Sequence, residues 1–220
     1  MARRIALLGA GSTGKTTLAN ALAADLCGRG LAAVAVGEAL REWCGRAGRA
    51  PHPGEQLAIA EEQEGRVDAA CARADIVIAD TTALMVAIHA GMLREDGALY
   101  RFASARQRGY DATLVTGLDL ACSADGLQRD ASQPREAVDA LVRAHLQRNG
   151  VAFQVVYGQG PQRLRSALQA LAATGVLPAA ARPGAGAEDG ARQPWVWACD
   201  KCSDPGCEHR LFRRLREPRA

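Results

Sequence analysis

The sequence predicts an α/β fold: a three-layer α/β/α sandwich whose central sheet is five-stranded and mainly parallel. Three observations carry that prediction. Short apolar runs alternate with longer amphipathic stretches, the pattern of repeated βαβ units. A glycine-rich turn joins the first apolar run to the first helical stretch, and no internal repeat interrupts the series. At 220 residues, with 48% hydrophobic and 23% charged residues, the chain suits one full globular domain and a small appendage.

Taken in order, the expected strands are IALLG at 5–9, AAVAV at 32–36, DIVIA at 75–79, ATLVT at 112–116 and FQVVY at 153–157. Helices are expected over 14–28, 38–47, 54–73, 81–93, 134–149 and 161–173. In the third of these, Leu57, Ala60, Glu64, Val67 and Cys71 recur at helical spacing. Crossovers between parallel strands should be right-handed. After residue 174 the texture changes. We expect a domain over 1–176, a Pro/Gly/Ala linker over 177–194 and a cysteine-bearing tail over 195–220.

The net charge of +3 is too small to mark a nucleic-acid binder by itself. Of the 27 basic residues only Lys15 and Lys201 are lysine, so a lysine in the glycine-rich turn points to a site that wants a compact ammonium. No apolar run reaches the ~18 residues of a membrane span. The start, MARRIALLGAG, imitates a secretory leader, but cleavage there would remove the turn, and a cytoplasmic protein is expected. Seven cysteines without regular spacing do not make a disulfide scaffold. Cys27, Cys44, Cys71 and Cys122 read as small hydrophobes.

The turn itself is GAGSTGKTT, residues 9–17. Gly9, Gly14, Lys15 and Thr16 meet the phosphate-loop pattern of P-loop NTPases, in which glycines let successive N–H groups converge on phosphate oxygens at a helix start. ATP is the expected ligand, held by Gly9, Gly11, Ser12, Thr13, Gly14, Lys15, Thr16 and Thr17. Lys15 should reach the β- and γ-phosphates, and the Thr16 hydroxyl should ligate Mg²⁺. Asp80 ends the third apolar run, where a carboxylate can hold the metal directly or through water; it can equally cap the next helix.

Glu38, Arg41 and Glu42 follow the second run, at the sheet edge where ligands of such folds bind. Glu38 can accept a proton from an attacking hydroxyl and Arg41 can orient an anion; solvated helix charges are the alternative, and the better one for Glu42. After the fourth run, the polar stretch TGLDLACSADGLQRDASQPRE lies where phosphotransferases of this architecture carry a lid. Arg129 and Arg135 are placed to stabilise charge on a transferring group, with Arg129 the chosen catalytic candidate.

Together, GAGSTGKTTLANALA, GEALREW, ADTT and DGLQRD resemble the nicotinamide riboside kinase-like family of P-loop proteins, AAA-labelled relatives included, over about residues 4–172. The resemblance implies ATP- and Mg²⁺-dependent phosphate transfer to a ribosyl 5′-hydroxyl. The chain departs from that pattern in three ways. No adenylyltransferase domain is expected ahead of the kinase-like part, the cysteine tail is extra, and aromatics are only 4%. Trp43, Tyr100, Phe102 and Tyr110 are the local rings that could stack on a nicotinamide.

In the tail, Cys199, Cys202, Cys207 and His209 form a C-x₂-C-x₄-C-x-H set that suits tetrahedral, structural Zn²⁺. Asp204, Pro205 and Gly206 supply a turn between ligand pairs. Trp195, Trp197 and the arginines of RLFRRLREPR either pack this segment or contact nucleic acid, with packing favoured. Two functions are therefore expected from the sequence. One is a small-molecule kinase acting on a nucleoside-like hydroxyl, with nicotinamide riboside as a candidate acceptor. The other is a nucleotide-dependent regulatory ATPase module whose tail contacts a protein or nucleic acid.

Overall fold

The computed structural model describes residues 1–91, 97–120 and 134–178. The chain divides into units Met1–Ala185 and Gly186–Ala220, and every described residue belongs to the first. Arg129, Cys199, Cys202, Cys207 and His209 lie outside the described residues.

Five strands form one sheet: β1 (Arg3–Leu8), β2 (Ala33–Val36), β3 (Ile76–Asp80), β4 (Ala112–Thr116) and β5 (Gln154–Val156). Their order is β2-β3-β1-β4-β5 and every pairing is parallel. The described helices are α1 (Lys15–Gly28), α2 (Ala39–Ala47), α3 (Pro53–Cys71), α4 (Ala83–Gly91), α5 (Gly97–Gln107), α6 (Arg135–Arg148) and α7 (Gly160–Ala173). The three-layer parallel fold expected from the sequence is the fold observed.

One face of β1 presents Ile5 and Leu7 to Leu18, Leu22 and Leu26 of α1 and to Leu168 and Leu171 of α7. On the opposite face, Leu8 packs with Leu84, Ile88, Val142 and Leu146 from α4 and α6, and Ala6 packs with Val67 and Ala70 of α3. Both faces are covered, so β3 and β4 are buried along their whole length and β1 from Ile5 onward. Leu18, Leu22 and Leu26 sit four residues apart and are buried, the stripe that fixes the roll of α1 on the sheet. Val176 and Leu177, just past α7, close the same core. The first residue of the expected linker is thus a core residue.

Two elements differ from expectation. α4 begins at Ala83, because Thr81 has a positive φ of 71° that no helix accommodates. α5 was not foreseen: its buried positions are Leu99, Ala103 and Gln107, a stripe too small and too polar to stand out. The polar end of that stripe is satisfied internally. Gln107 accepts from Thr82 at 2.8 Å and donates to Thr113 at 3.0 Å.

Candidate functional site

Register places the site. Leu7 pairs with Asp80 on one side and with Leu114 on the other, so the loop after β1 emerges level with the end of β3. Val36 pairs with Ala79, which brings Glu38 to the same edge. The four sequence-chosen groups Lys15, Thr16, Asp80 and Glu38 therefore converge at the carboxyl edge, where the parallel topology leaves a crevice.

The loop from Gly9 to Gly14 is held by its own polar atoms. Gly9 adopts φ 141° and Gly14 φ 75°, conformations closed to most side chains. A Cβ on Gly9 would lie 2.3 Å from Thr116 Oγ1 and 3.0 Å from the Thr116 carbonyl oxygen. Thr13 Oγ1 donates to the Ala10 carbonyl at 2.8 Å and lies 2.7 Å from Thr116 Oγ1. Thr116 Oγ1 also lies 3.2 Å from the Leu8 carbonyl oxygen, to which it can donate, and either hydroxyl can donate within the threonine pair, so β4 is tied to the loop. Helix α1 starts at Lys15 with neither a capping side chain nor an acid in its first turn. Its first N–H groups and the positive end of its dipole are thus left for an anion.

Lys15 is buried and donates from Nζ to the Gly9 and Ala10 carbonyls at 3.0 and 2.7 Å. The ammonium is folded onto the loop it would share with a phosphate. Thr16 Oγ1 donates to Asp80 Oδ2 at 2.5 Å and accepts from Arg41 Nη1 at 3.0 Å. Asp80 is buried, and its second oxygen, Oδ1, has no hydrogen-bond partner. A buried, unpartnered carboxylate oxygen beside a threonine hydroxyl is a donor set that fits a hard divalent cation such as Mg²⁺. No group of three or more metal-ligating side chains occurs among the described residues, so any other ligands would come from nucleotide and water.

Glu38 precedes α2 and forms an ion pair from Oε2 to Arg41 Nη2 at 2.7 Å. Burial pushes its carboxyl above the usual carboxylate range; Arg41, Lys15 and His89 pull it down and Asp80 pushes it up. Glu38 therefore lies within electrostatic reach of Lys15, of Asp80 at the end of β3 and of His89 in α4. Glu42, by contrast, pairs with Arg66 at 2.8 Å and is half exposed.

Arg135 begins α6 and donates from Nη1 to the Leu120 carbonyl at 2.9 Å, while its buried Nε and Nη2 have no partner. Leu120 in turn reaches to 3.0 Å of the Cβ position of Gly14. Of the rings proposed to stack on a base, Tyr110 is buried and donates to Glu64, and Tyr100 stands 5.4 Å from the His145 ring. The ring of Trp43 already carries the Arg49 guanidinium at 5.0 Å. Phe102 packs at the margin of the α2–α5 core.

Two supporting groups escaped the sequence reading. Glu64 is buried and accepts from the Ala83 amide at 2.9 Å, from Tyr110 at 3.1 Å and from Arg106 at 3.2 Å. It thereby fixes the start of α4 just beyond Asp80. The signal was present, since Glu64 falls within the apolar helical series of α3. Asp119 accepts from the Gly158 amide at 2.6 Å and from Arg163 at 3.3 Å, joining the ends of β4 and β5; nothing in its polar surroundings marked it.

An AAA-domain family model matches residues 4–163. No curated protein sequence matches the chain. Among solved structures, NadR protein in complex with NAD and AMP-PNP is similar at 17% identity and a TM-score of 0.63. That match covers 80% of this chain and 50% of the other. NadR protein in complex with NR gives 18% identity and a TM-score of 0.64, covering 80% and 52%. Thymidylate kinase from Ehrlichia chaffeensis gives 14% and 0.50, covering 72% and 88%. The chain thus spans about half the length of the NadR structures, and at such identities the likeness is one of fold.

Proposed function

The chain belongs to the AAA-domain family, and from that premise we propose that it is an ATP- and Mg²⁺-dependent kinase that phosphorylates a nucleoside-like hydroxyl. The likeness in fold to NadR and to thymidylate kinase supports transfer over simple hydrolysis. Glu38, a largely buried carboxylate within electrostatic reach of Lys15 and Asp80, has its proton affinity raised. A base so placed can take the proton of an acceptor hydroxyl.

In this reading, the loop amides from Gly9 to Thr17 and the start of α1 bind the phosphates, and Lys15 turns from its carbonyls to the β- and γ-oxygens. Thr16 and Asp80 hold Mg²⁺, which when bound neutralises charge on the phosphates. Glu38 takes the proton of the acceptor hydroxyl as its oxygen forms a bond to the γ-phosphorus. The bond from that phosphorus to the β,γ-bridging oxygen breaks and ADP leaves. Arg129 from the lid segment and Arg135 from the start of α6 supply positive charge to the transferring group. The unpartnered Nε and Nη2 of Arg135 support its part.

The NadR complex with NR makes nicotinamide riboside the first acceptor to try. Of the four rings considered for stacking, Tyr110 is buried in its bond to Glu64, and Trp43, Tyr100 and Phe102 are the partly buried ones left to meet it. Such a kinase belongs in the cytoplasm with its ATP supply, and no described helix is long and apolar enough to cross a membrane. The test is incubation with ATP, Mg²⁺ and a nucleoside panel that includes nicotinamide riboside. ADP release should depend on one of them; equal release with and without every nucleoside overturns the reading.

A second reading is favoured by the tail, because Cys199, Cys202, Cys207 and His209 lie beyond the family match, which ends at residue 163. In it the four side chains hold structural Zn²⁺, and the chain is a regulatory ATPase module that meets a protein or nucleic acid through this segment. Slow hydrolysis without any acceptor, and a partner lost on removing the tail, distinguish it from the kinase.

A further inference from the structure

At the edge of β2 and β3 a cation stands beside the hydroxyl expected to ligate the metal. Arg41, in the first turn of α2, holds the Thr16 oxygen through Nη1 at 3.0 Å and Glu38 through Nη2 at 2.7 Å. Thr16 donates its own hydrogen bond to Asp80 Oδ2. The hydroxyl oxygen that would ligate Mg²⁺ is thus already accepting from a guanidinium. A metal ion held by that oxygen would put two positive groups on one atom, in a site where burial weakens screening. Meanwhile the second Asp80 oxygen is buried without a partner, so Arg41 does not complete the site chemically.

Metal and Arg41 therefore exclude one another at Thr16. Arg41 is able to move: its side chain is 51% exposed and α2 is anchored elsewhere, through the buried Ala39 and Cys44. A guanidinium driven from one oxygen seeks an anion, and its planar fork matches two oxygens of a phosphoryl group. The terminal phosphoryl of a triphosphate is the anion that arrives with the metal.

We propose that Arg41 is an exchangeable cation, balancing Thr16 and Asp80 before nucleotide binds and displaced by the incoming metal onto the terminal phosphoryl group. The inference rests on the phosphate-loop part of the proposed function and requires no acceptor. It also gives Glu38 a timing device. The carboxylate is neutralised by Arg41 in the resting site and released when the triphosphate is in place, so proton acceptance is coupled to loading.

The experiment compares binding of Mg·ADP and of a Mg-bound non-hydrolysable ATP analogue to the full chain, by calorimetric titration. Arg41→Met should bind Mg·ADP as tightly as the parent or more tightly, because a competitor for Thr16 has gone. The same variant should bind the Mg-bound analogue about tenfold more weakly, since a charge-assisted contact to the terminal phosphoryl is missing. Arg41→Lys keeps the charge without the fork and should fall between. If Arg41→Met weakens both ligands equally, the arginine only anchors α2 and the proposal is wrong. It is equally wrong if neither affinity changes. Failure of the parent to bind either ligand removes the phosphate-loop reading and this one together. Selective loss of the analogue, with no acceptor ever consumed, leaves Arg41 as described and removes only the transfer.

Discussion

Gly9 shows how narrowly a single residue can be determined. Its φ of 141° and the 2.3 Å approach of Thr116 Oγ1 to its missing Cβ leave no space for even a methyl group. Gly9→Ala must push the loop from β4 and break the Thr13–Thr116 contact. It should lower stability by about 1–3 kcal/mol and abolish nucleotide binding, measured by thermal unfolding and titration. Glu38 is determined by the opposite circumstance, a charge held where water is scarce. Burial, its leading influence, lifts the carboxyl above its ordinary 4.5. The folded protein then binds that proton more tightly than the unfolded chain, so stability falls as pH rises from 4.5 to the raised value. Glu38→Gln should be at least as stable as the parent near neutral pH and keep nucleotide affinity. Transfer should be lost, and in the parent the acidic limb of the rate profile should lie above 4.5. Both residues were legible in the sequence, one from motif spacing and the other from its place after an apolar run. The Arg41 contact to Thr16 was not, because only the register of β2 with β3 brings the two helix starts together.

At the level of elements, what could be read followed from how each piece meets the core. The central strands β1, β3 and β4 stand out because burial on both faces makes them short, mainly apolar runs, and α1 stands out because Leu18, Leu22 and Leu26 share one side. α5 hid because its inward face ends in Gln107, whose partners Thr82 and Thr113 come from other elements. A polar core contact has no periodic signature before the fold is known. Glu64 makes the same point from α3, where it occupies an apolar position and looks out of place until the Ala83 amide, Tyr110 and Arg106 arrive. Those partners turn it into the device that sets where α4 begins. Thr81, with φ 71°, is the strained link between Asp80 and that start. Glu64→Ala strands the buried Ala83 amide and the Tyr110 hydroxyl, while Arg106 keeps Asp68 at 2.7 Å. We expect a loss of about 3 kcal/mol in denaturant unfolding, together with weaker Mg²⁺-dependent nucleotide binding as Asp80 loses its support.

On the scale of the whole chain, the strand order β2-β3-β1-β4-β5 divides the carboxyl edge about the phosphate loop. Glu38, Arg41 and Asp80 lie on the side of β2 and β3, and the Asp119–Arg163 clasp lies on the side of β4 and β5. The chemistry proposed for the site draws on residues up to Arg135, and the core closes at Val176 and Leu177, which are 6% and 1% exposed. Cys199, Cys202, Cys207 and His209, the set expected from the sequence to hold zinc, lie beyond those core residues in the chain. Their spacing makes a metal argument of its own, independent of the nucleotide site. A chain ending after Pro178, which retains Leu177, should therefore unfold at the same temperature as the full chain and bind Mg·ATP equally well. Metal analysis of the full chain should find about one zinc per chain, and Cys202→Ser should remove it without changing nucleotide affinity. If the shortened chain still consumes its acceptor at the full rate, the tail serves location or partnership. If it binds ATP but no longer turns over, the tail takes part in the reaction, and the kinase and the regulatory module are one mechanism.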